Sequence, residues 1–251
     1  MENFSYQHYV SDTSFLDAYN TYQAKYAQQM RESDRIILEL VREIQMKHDF
    51  NTGSMKLLDI GCSTGNLLLY IKRRFPQLIL TGGDLSESSL KVCRTNQELK
   101  EVEFEVMDLL NLPSGAGYNI ITINAVLYMM DDTQFESAMR SVAGALKPGG
   151  TMIAFDFFHP YPQDLHINEI SSSHPYGLRL RFRPIDMVRK VLAQTGLKNS
   201  VFRPFTLPFD LAVSGAPEDL ITYTVPTLEG KNLPFRGTLF QPWCHMTAVR
   251  V

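Results

Sequence analysis

Leu57-Leu58-Asp59-Ile60-Gly61-Cys62-Ser63-Thr64-Gly65-Asn66-Leu67 constrains the fold more than any other stretch of the chain. An apolar run stops at an acid, a loop of small residues follows, and an amphipathic pattern resumes at once. This reads as a buried strand, a tight turn and a helix. Glycines in such a loop let a ligand approach the backbone, and the first turn of the helix offers unpaired N–H groups to an acceptor. The spacing is Asp-x-Gly-x-x-x-Gly. The Gly-x-Gly-x-x-Gly of a nicotinamide dehydrogenase is absent, which disfavours that class.

The same grammar repeats downstream. Strands are expected at Leu78 to Gly82 (closing on Asp84), Val102 to Val106, Tyr118 to Asn124 and Thr151 to Phe155. Helices are expected at Asn66 to Phe75, from an N-cap at Ser86 to about Leu99, and at Asp132 to Leu146. Repeated strand–helix alternation implies parallel pairing through right-handed crossovers, hence an α/β, Rossmann-like doubly wound sheet with helices on both faces. Upstream, Phe15, Ala18, Tyr22, Tyr26 and Met30 recur at helical spacing, and Ile36, Ile37, Leu40, Val41 and Ile44 continue the stripe. Residues 1–55 are therefore expected to form a helical lid segment, and residues 56–251 the main domain. The regularity fails at about 157–183, which reads as a loop or small insertion. Pro184 then opens another helix, Gly196 closes it, and Trp243 to Val251 reads as a C-terminal strand.

Composition narrows the partners. The chain has 251 residues, a net charge of -3 and a pI near 6.1, which argue against a general nucleic-acid or membrane-surface binder. Three scattered cysteines suit neither a disulfide framework nor a zinc site, and no metal is expected. With no signal-peptide pattern at the first residues and no long apolar run, a cytoplasmic protein is expected.

In an open parallel sheet, ligands sit beyond the carboxyl ends of the strands. Asp59-Ile60-Gly61, Gly83-Asp84, Met107-Asp108-Leu109 and Asn124-Ala125 all fall at such ends. Asp84, on the strand after the glycine loop, is placed to accept two ribose hydroxyls at once. Asp108 suits an adenine amine, with Met107 and Leu109 on the faces of the ring.

At these residues the chain resembles the class I S-adenosylmethionine-dependent methyltransferases. The likeness rests on Leu58 to Gly65, Gly83-Asp84-Leu85-Ser86, Met107-Asp108-Leu109, Asn124 to Tyr128 and Leu146 to Thr151. It implies a seven-stranded sheet whose last strand is antiparallel, and S-adenosyl-L-methionine as the cofactor. It further implies that Asp59, Gly61 and Gly65 shape the methionine pocket, that Asp84 holds the ribose and that Asp108 reads the adenine. Cys62, Asn66, Leu85, Asn124 and Ala125 complete the implied cofactor set. Shared cofactor motifs say little about the acceptor.

Gly61-Cys62-Ser63-Thr64-Gly65 also matches Gly-x-Ser-x-Gly, the nucleophile elbow of α/β hydrolases with Ser63 as nucleophile. An elbow should follow several strands and an oxyanion loop, whereas this one follows the first strand. A module that binds the cofactor without turnover is a further alternative. The favoured reading is methyl transfer to an oxygen or nitrogen of a small molecule. Candidate acceptor-side groups are His159 as a proton acceptor and Tyr128 as an orienting group. Asp156, Tyr161 and Arg181 are candidate substrate contacts. His166 and His174 are weaker candidates. Arg179, Arg181 and Arg183 would share one face of a strand and suit an anionic acceptor, with a solvated face as the default.

Overall fold

The computed structural model describes residues 13–47, 53–169, 178–207, 222–226, 232–236 and 242–251. A short helix, α1 (Thr13–Ala24), is followed by a 3-10 turn and by α2 (Glu32–Gln45). Next come β1 (Lys56–Ile60), α3 (Asn66–Arg74), β2 (Ile79–Asp84), α4 (Glu87–Thr95), β3 (Glu103–Val106) and β4 (Tyr118–Asn124). After α5 (Asp132–Ala145) run β5 (Leu146–His159), β6 (Leu165–Glu169), β7 (Leu178–Pro184), α6 (Ile185–Gln194) and β8 (Leu197–Pro204). A separate hairpin, β9 (Thr222–Pro226) with β10 (Asn232–Arg236), precedes β11 (Trp243–Arg250).

Apolar residues on both faces place β1 at the middle of the sheet, flanked in parallel by β2 and β4. The main path runs β3-β2-β1-β4-β5-β11-β8, with β11 antiparallel to both neighbours. The expected seven-stranded arrangement with an antiparallel last strand is therefore present. The β6–β7 hairpin docks on the far end of β5 and raises the sheet to nine strands. One face is covered by α2, α3 and α4 through Ile37, Leu40, Val41, Leu68, Ile71 and Leu90. The other is covered by α5 and α6 through Phe135, Met139, Val142, Val188 and Leu192. Each such side chain contributes about 1.5–3 kcal/mol of burial.

Two local expectations need correction. The lead-in is not one helix, and the buried side of α1 carries Leu16 and Gln23, while Ala18 and Tyr22 are exposed. This helix meets the starts of α3 and α4 through polar bonds, Asn66 to the Gln23 carbonyl and Ser89 to Asn20, so apolar spacing misidentifies its inner face. The side chain of Phe15 lies outside the described residues. At 157–183 it is the loop alternative that needs correction. The ends of that stretch extend β5 to His159 and form the β6–β7 ladder, with His166 opposite Arg181. His174 lies outside the described residues.

Candidate functional site

β1 ends at Asp59 and Ile60, and the chain then turns through Gly61 at φ 77° and Ser63 at φ 49° before Gly65 caps α3 at φ 76°. Gly61 cannot be replaced without cost: a Cβ there would sit 2.5 Å from Val126 Cγ2. The loop is pinned from β2, because Gly61 and Cys62 donate N–H groups to the Gly83 carbonyl at 2.7 and 3.1 Å.

Above this loop two adjoining cavities share a wall of Tyr19, Gly61, Ser63, Asn124 and Ala125. The more apolar one is lined by Leu16, Ile60, Leu85, Met107, Leu109 and Met130, with Asp84, Asp108 and Tyr128 among its polar groups. The more polar one holds Gln23, Arg31, Ser33, Asp59, Thr64 and Asn66, with Phe155 and Trp243 as its aromatic side. The site thus sits where β1 parts from β2 and β4, the crevice expected of a doubly wound sheet.

Its charge is predominantly negative. Asp84 spans the two loops: Oδ2 accepts the Ser63 N–H and Oδ1 the Ser86 N–H, both at 2.8 Å. With the Leu85 N–H these are three donors, which leave the carboxylate lone-pair capacity for a ligand hydroxyl. Burial raises the Asp84 pKa against the opposing pull of these N–H groups. Asp59, 2% exposed, accepts from Thr122 Oγ1 at 2.7 Å. Burial pushes it up to about 7, and the nearby charges of Asp34 and Asp84 add to the rise. Asp34 lies under the floor, taking the Asn124 amide N–H at 2.9 Å, and burial raises it as well. Arg31 supplies a cation, held over the Tyr26 ring at 3.6 Å and bonded to Gln23.

Ser63 Oγ and Thr64 Oγ1 are buried and have no hydrogen-bond partner among the described residues. Such groups carry a cost of about 1–3 kcal/mol each unless a ligand satisfies them. A ligand with cationic and hydroxyl groups would answer both the orphaned hydroxyls and the excess carboxylates, so the donor set fits S-adenosylmethionine.

Residues 57–150 match the family of a methyltransferase domain. That segment carries the glycine loop and the acids of the site. The chain is 26% identical over 142 residues to a malonyl-[acyl-carrier protein] O-methyltransferase of Bacillus cereus, an alignment covering 57% of this chain and 51% of that protein. It is 28% identical over 109 residues to a ubiquinone/menaquinone biosynthesis C-methyltransferase of Desulfotalea psychrophila, covering 43% and 44%. The chain thus spans about half the length of these curated relatives. In three dimensions it resembles the 1,6-didemethyltoxoflavin-N1-methyltransferase of Burkholderia thailandensis, a structure with bound 1,6-didemethyltoxoflavin and S-adenosylhomocysteine. The TM-score is 0.57 at 14% identity, with 100% of this chain and 92% of that one covered.

Within the matched segment, Asp59, Gly61, Cys62, Asn66, Asp84, Leu85, Met107, Asp108, Leu109, Asn124 and Ala125 all line the two cavities. Gly65 lies behind them as the cap of α3, and Asn66 also donates its amide to the Gln23 carbonyl at 2.9 Å. Asp108 Oδ1 accepts the Leu110 N–H at 2.9 Å, which fixes the turn after β3. Tyr128 lines the apolar cavity and packs on Phe157 and Trp243.

The acceptor-side candidates are placed differently. His159 is 2% exposed, its Nε2 shares a hydrogen bond with the Phe182 carbonyl at 3.0 Å, and it lines neither cavity. Tyr161 is exposed beside it. Arg181 contacts His166 across the β6–β7 ladder, and His166 pairs with Asp164 at 2.7 Å. Asp156 is 1% exposed and turned inward, where its carboxylate accepts the Leu127 and Phe157 N–H groups at 2.8 Å. The carboxyl end of β5 bends these side chains into the hairpin, away from the crevice.

No histidine lines either cavity among the described residues, so Ser63, despite its left-handed backbone, has no hydrolase base beside it. Among the described residues no cluster of side chains could hold a metal, and no helix is long and apolar enough to cross a membrane.

Sequence reasoning missed Tyr19, Gln23, Arg31, Val126, Met129 and Trp243 as lining residues. Polar residues at positions 19, 20 and 23 share one side of α1, which is the only local signal that this face meets a polar surface.

Proposed function

We propose that this protein is an S-adenosylmethionine-dependent methyltransferase acting on an oxygen or nitrogen of a small-molecule acceptor. The observation that carries this reading is convergence. The acids at the ends of β1 and β2, the acid after β3 and the glycine loop all face one pair of joined cavities.

In this reading Asp84 takes the ribose hydroxyls, Asp108 the adenine amine, and Met107 and Leu109 the ring faces. Asp59 and the glycine loop take the methionine end, where Ser63 and Thr64 offer unpaired hydroxyls and Arg31 offers a cation for a carboxylate. When bound, the cofactor supplies a methyl carbon already activated by its sulfonium. The protein's task is then alignment and exclusion of water. Tyr19 of α1 roofs the loop, lining both cavities with its hydroxyl near Ser63 and Gln23. Asn124, Tyr128, Phe155 and Trp243 line the space left for the acceptor. Tyr128 orients the acceptor, and His159 acts at most through the hairpin that buries it. A negative chain with three buried, free thiols suits a reducing, cytoplasmic setting.

The test is transfer of a labelled methyl from S-adenosylmethionine to a panel of phenols, carboxylates, amines and heterocyclic N–H compounds. Stoichiometric S-adenosylhomocysteine and one labelled product are expected. Binding of the cofactor with no labelled product from any panel would instead favour a binding module.

A further inference from the structure

The loop that follows β4, residues 125–131, supplies Val126, Tyr128, Met129 and Met130 to the apolar cavity. It is gripped from behind by two buried charges that belong to neither cavity. Asp156 on β5 takes the Leu127 N–H at 2.8 Å, and the Tyr128 N–H also bonds to it. Arg183 on β7 donates Nη1 to the carbonyl of the same Leu127 at 3.0 Å. Its Nη2 reaches the Met130 carbonyl, the Asp131 carbonyl at 3.5 Å and the Asp132 carboxylate at 3.9 Å. The guanidinium also lies 4.4 Å over the Phe135 ring. Both side chains are 1% exposed.

A hydrophobic side chain would fill this space without the cost of burying ions, so the pair needs another reason. Backbone groups of an irregular loop must be satisfied once water is excluded. Here the carboxylate serves the N–H side and the guanidinium the carbonyl side of one residue, which fixes the path of the loop and not merely its burial. Ala125, at φ 57°, starts that loop in a conformation that L residues avoid.

We propose that Asp156 and Arg183 are a pair of positioning residues that hold the 125–131 loop, and with it Tyr128, against the ligand cavity. The proposal rests on the methyltransferase reading for its purpose, but its geometry can be tested separately. Trp243 is the only tryptophan in the chain and packs on both Tyr128 and Phe157, so its emission reports the loop.

The experiment compares wild type with Asp156→Asn, Arg183→Lys and Arg183→Met, each kept well below its own melting temperature. Acrylamide quenching of Trp243 and the Kd for S-adenosylhomocysteine are measured on each folded variant. Arg183→Met is expected to raise the quenching constant at least twofold and weaken S-adenosylhomocysteine at least tenfold. Arg183→Lys and Asp156→Asn, the milder changes should Arg183→Met fail to fold, are expected to move both readings in the same direction by less. Variants that melt earlier but keep wild-type quenching and Kd would overturn the proposal, since the pair would then be structural only. If wild type does not bind S-adenosylhomocysteine, the functional reading fails while the quenching comparison still decides the loop.

Discussion

Asp84 at the end of β2 and Asp156 at the end of β5 are both buried aspartates whose oxygens accept backbone N–H groups at 2.8 Å. Asp84 faces a cavity and keeps lone pairs for a ligand. Asp156 faces inward, and the charge of Arg183 and the N–H groups of Phe157, Leu127 and Tyr128 oppose the burial that pushes it up to about 6. The difference separates the two halves of the molecule. Around β1, β2 and β4 short loops bring strand ends directly to the ligand. Around β5 and β7 the same kind of residue has become scaffolding for a loop that reaches the ligand on its behalf.

The comparison breaks most sharply at the scaffold. Asp156→Ala strips the buried Leu127, Tyr128 and Phe157 N–H groups of their acceptor and should cost about 3–5 kcal/mol of unfolding free energy in a urea titration. A loss under 1 kcal/mol would mean that the carboxylate does not hold these N–H groups as the structure shows.

Gly61→Ala comes next. It forces an alanine into a left-handed φ and against Val126, together about 2–4 kcal/mol. Adding Val126→Ala should recover the part due to the clash, measured as non-additivity in a double-mutant cycle.

Asp84→Asn should divide its effects differently from Asp156→Ala. It removes a charge that burial penalises but turns one oxygen into a donor facing the Ser63 or Ser86 N–H. Thermal stability should therefore change less than in Asp156→Ala, while S-adenosylhomocysteine affinity should drop about tenfold for the loss of charge-assisted hydrogen bonds. Equal affinity would detach Asp84 from the ribose.

How much of this was legible in the chain follows the same division. The segment Tyr118–Asn124 coincides with its expected strand, and Lys56–Ile60 takes in the apolar run that begins at Leu57, because burial on both faces writes a local apolar run. The cavity acids were legible because strand ends place them by position alone. The scaffold was not. Arg183 reaches carbonyls 53 and 56 residues away in sequence, and no local pattern encodes such a contact. Asp156 was misread as a substrate contact because position at a strand end does not say which way a side chain turns. Alternation among Arg179, Arg181 and Arg183 did indicate a shared strand face, but that face meets Asp131, His166 and the 127–132 loop.

A smaller effect is expected from pH. Asp59 has a pKa raised from 3.8 to about 7, so the fold favours its neutral form. Its stabilising contribution is full below about pH 4 and is lost as pH rises towards 7, at most about 4 kcal/mol for three units. Asp34, Asp84 and Asp156 are shifted in the same direction. The ligand-free protein should therefore lose melting temperature from pH 5 to pH 7.5, and Asp59→Asn should flatten the slope. A cationic ligand reverses the preference, so affinity for S-adenosylmethionine should tighten over the same interval.

The central claim is that the paired cavities hold S-adenosylmethionine, and calorimetric titration of the purified chain with S-adenosylhomocysteine at pH 7.5 tests it most directly. Saturable binding of one molecule per chain, weakened by Gly61→Ala and by Asp84→Asn, is the predicted result. No heat of binding to a folded chain, or binding indifferent to both substitutions, would contradict the account.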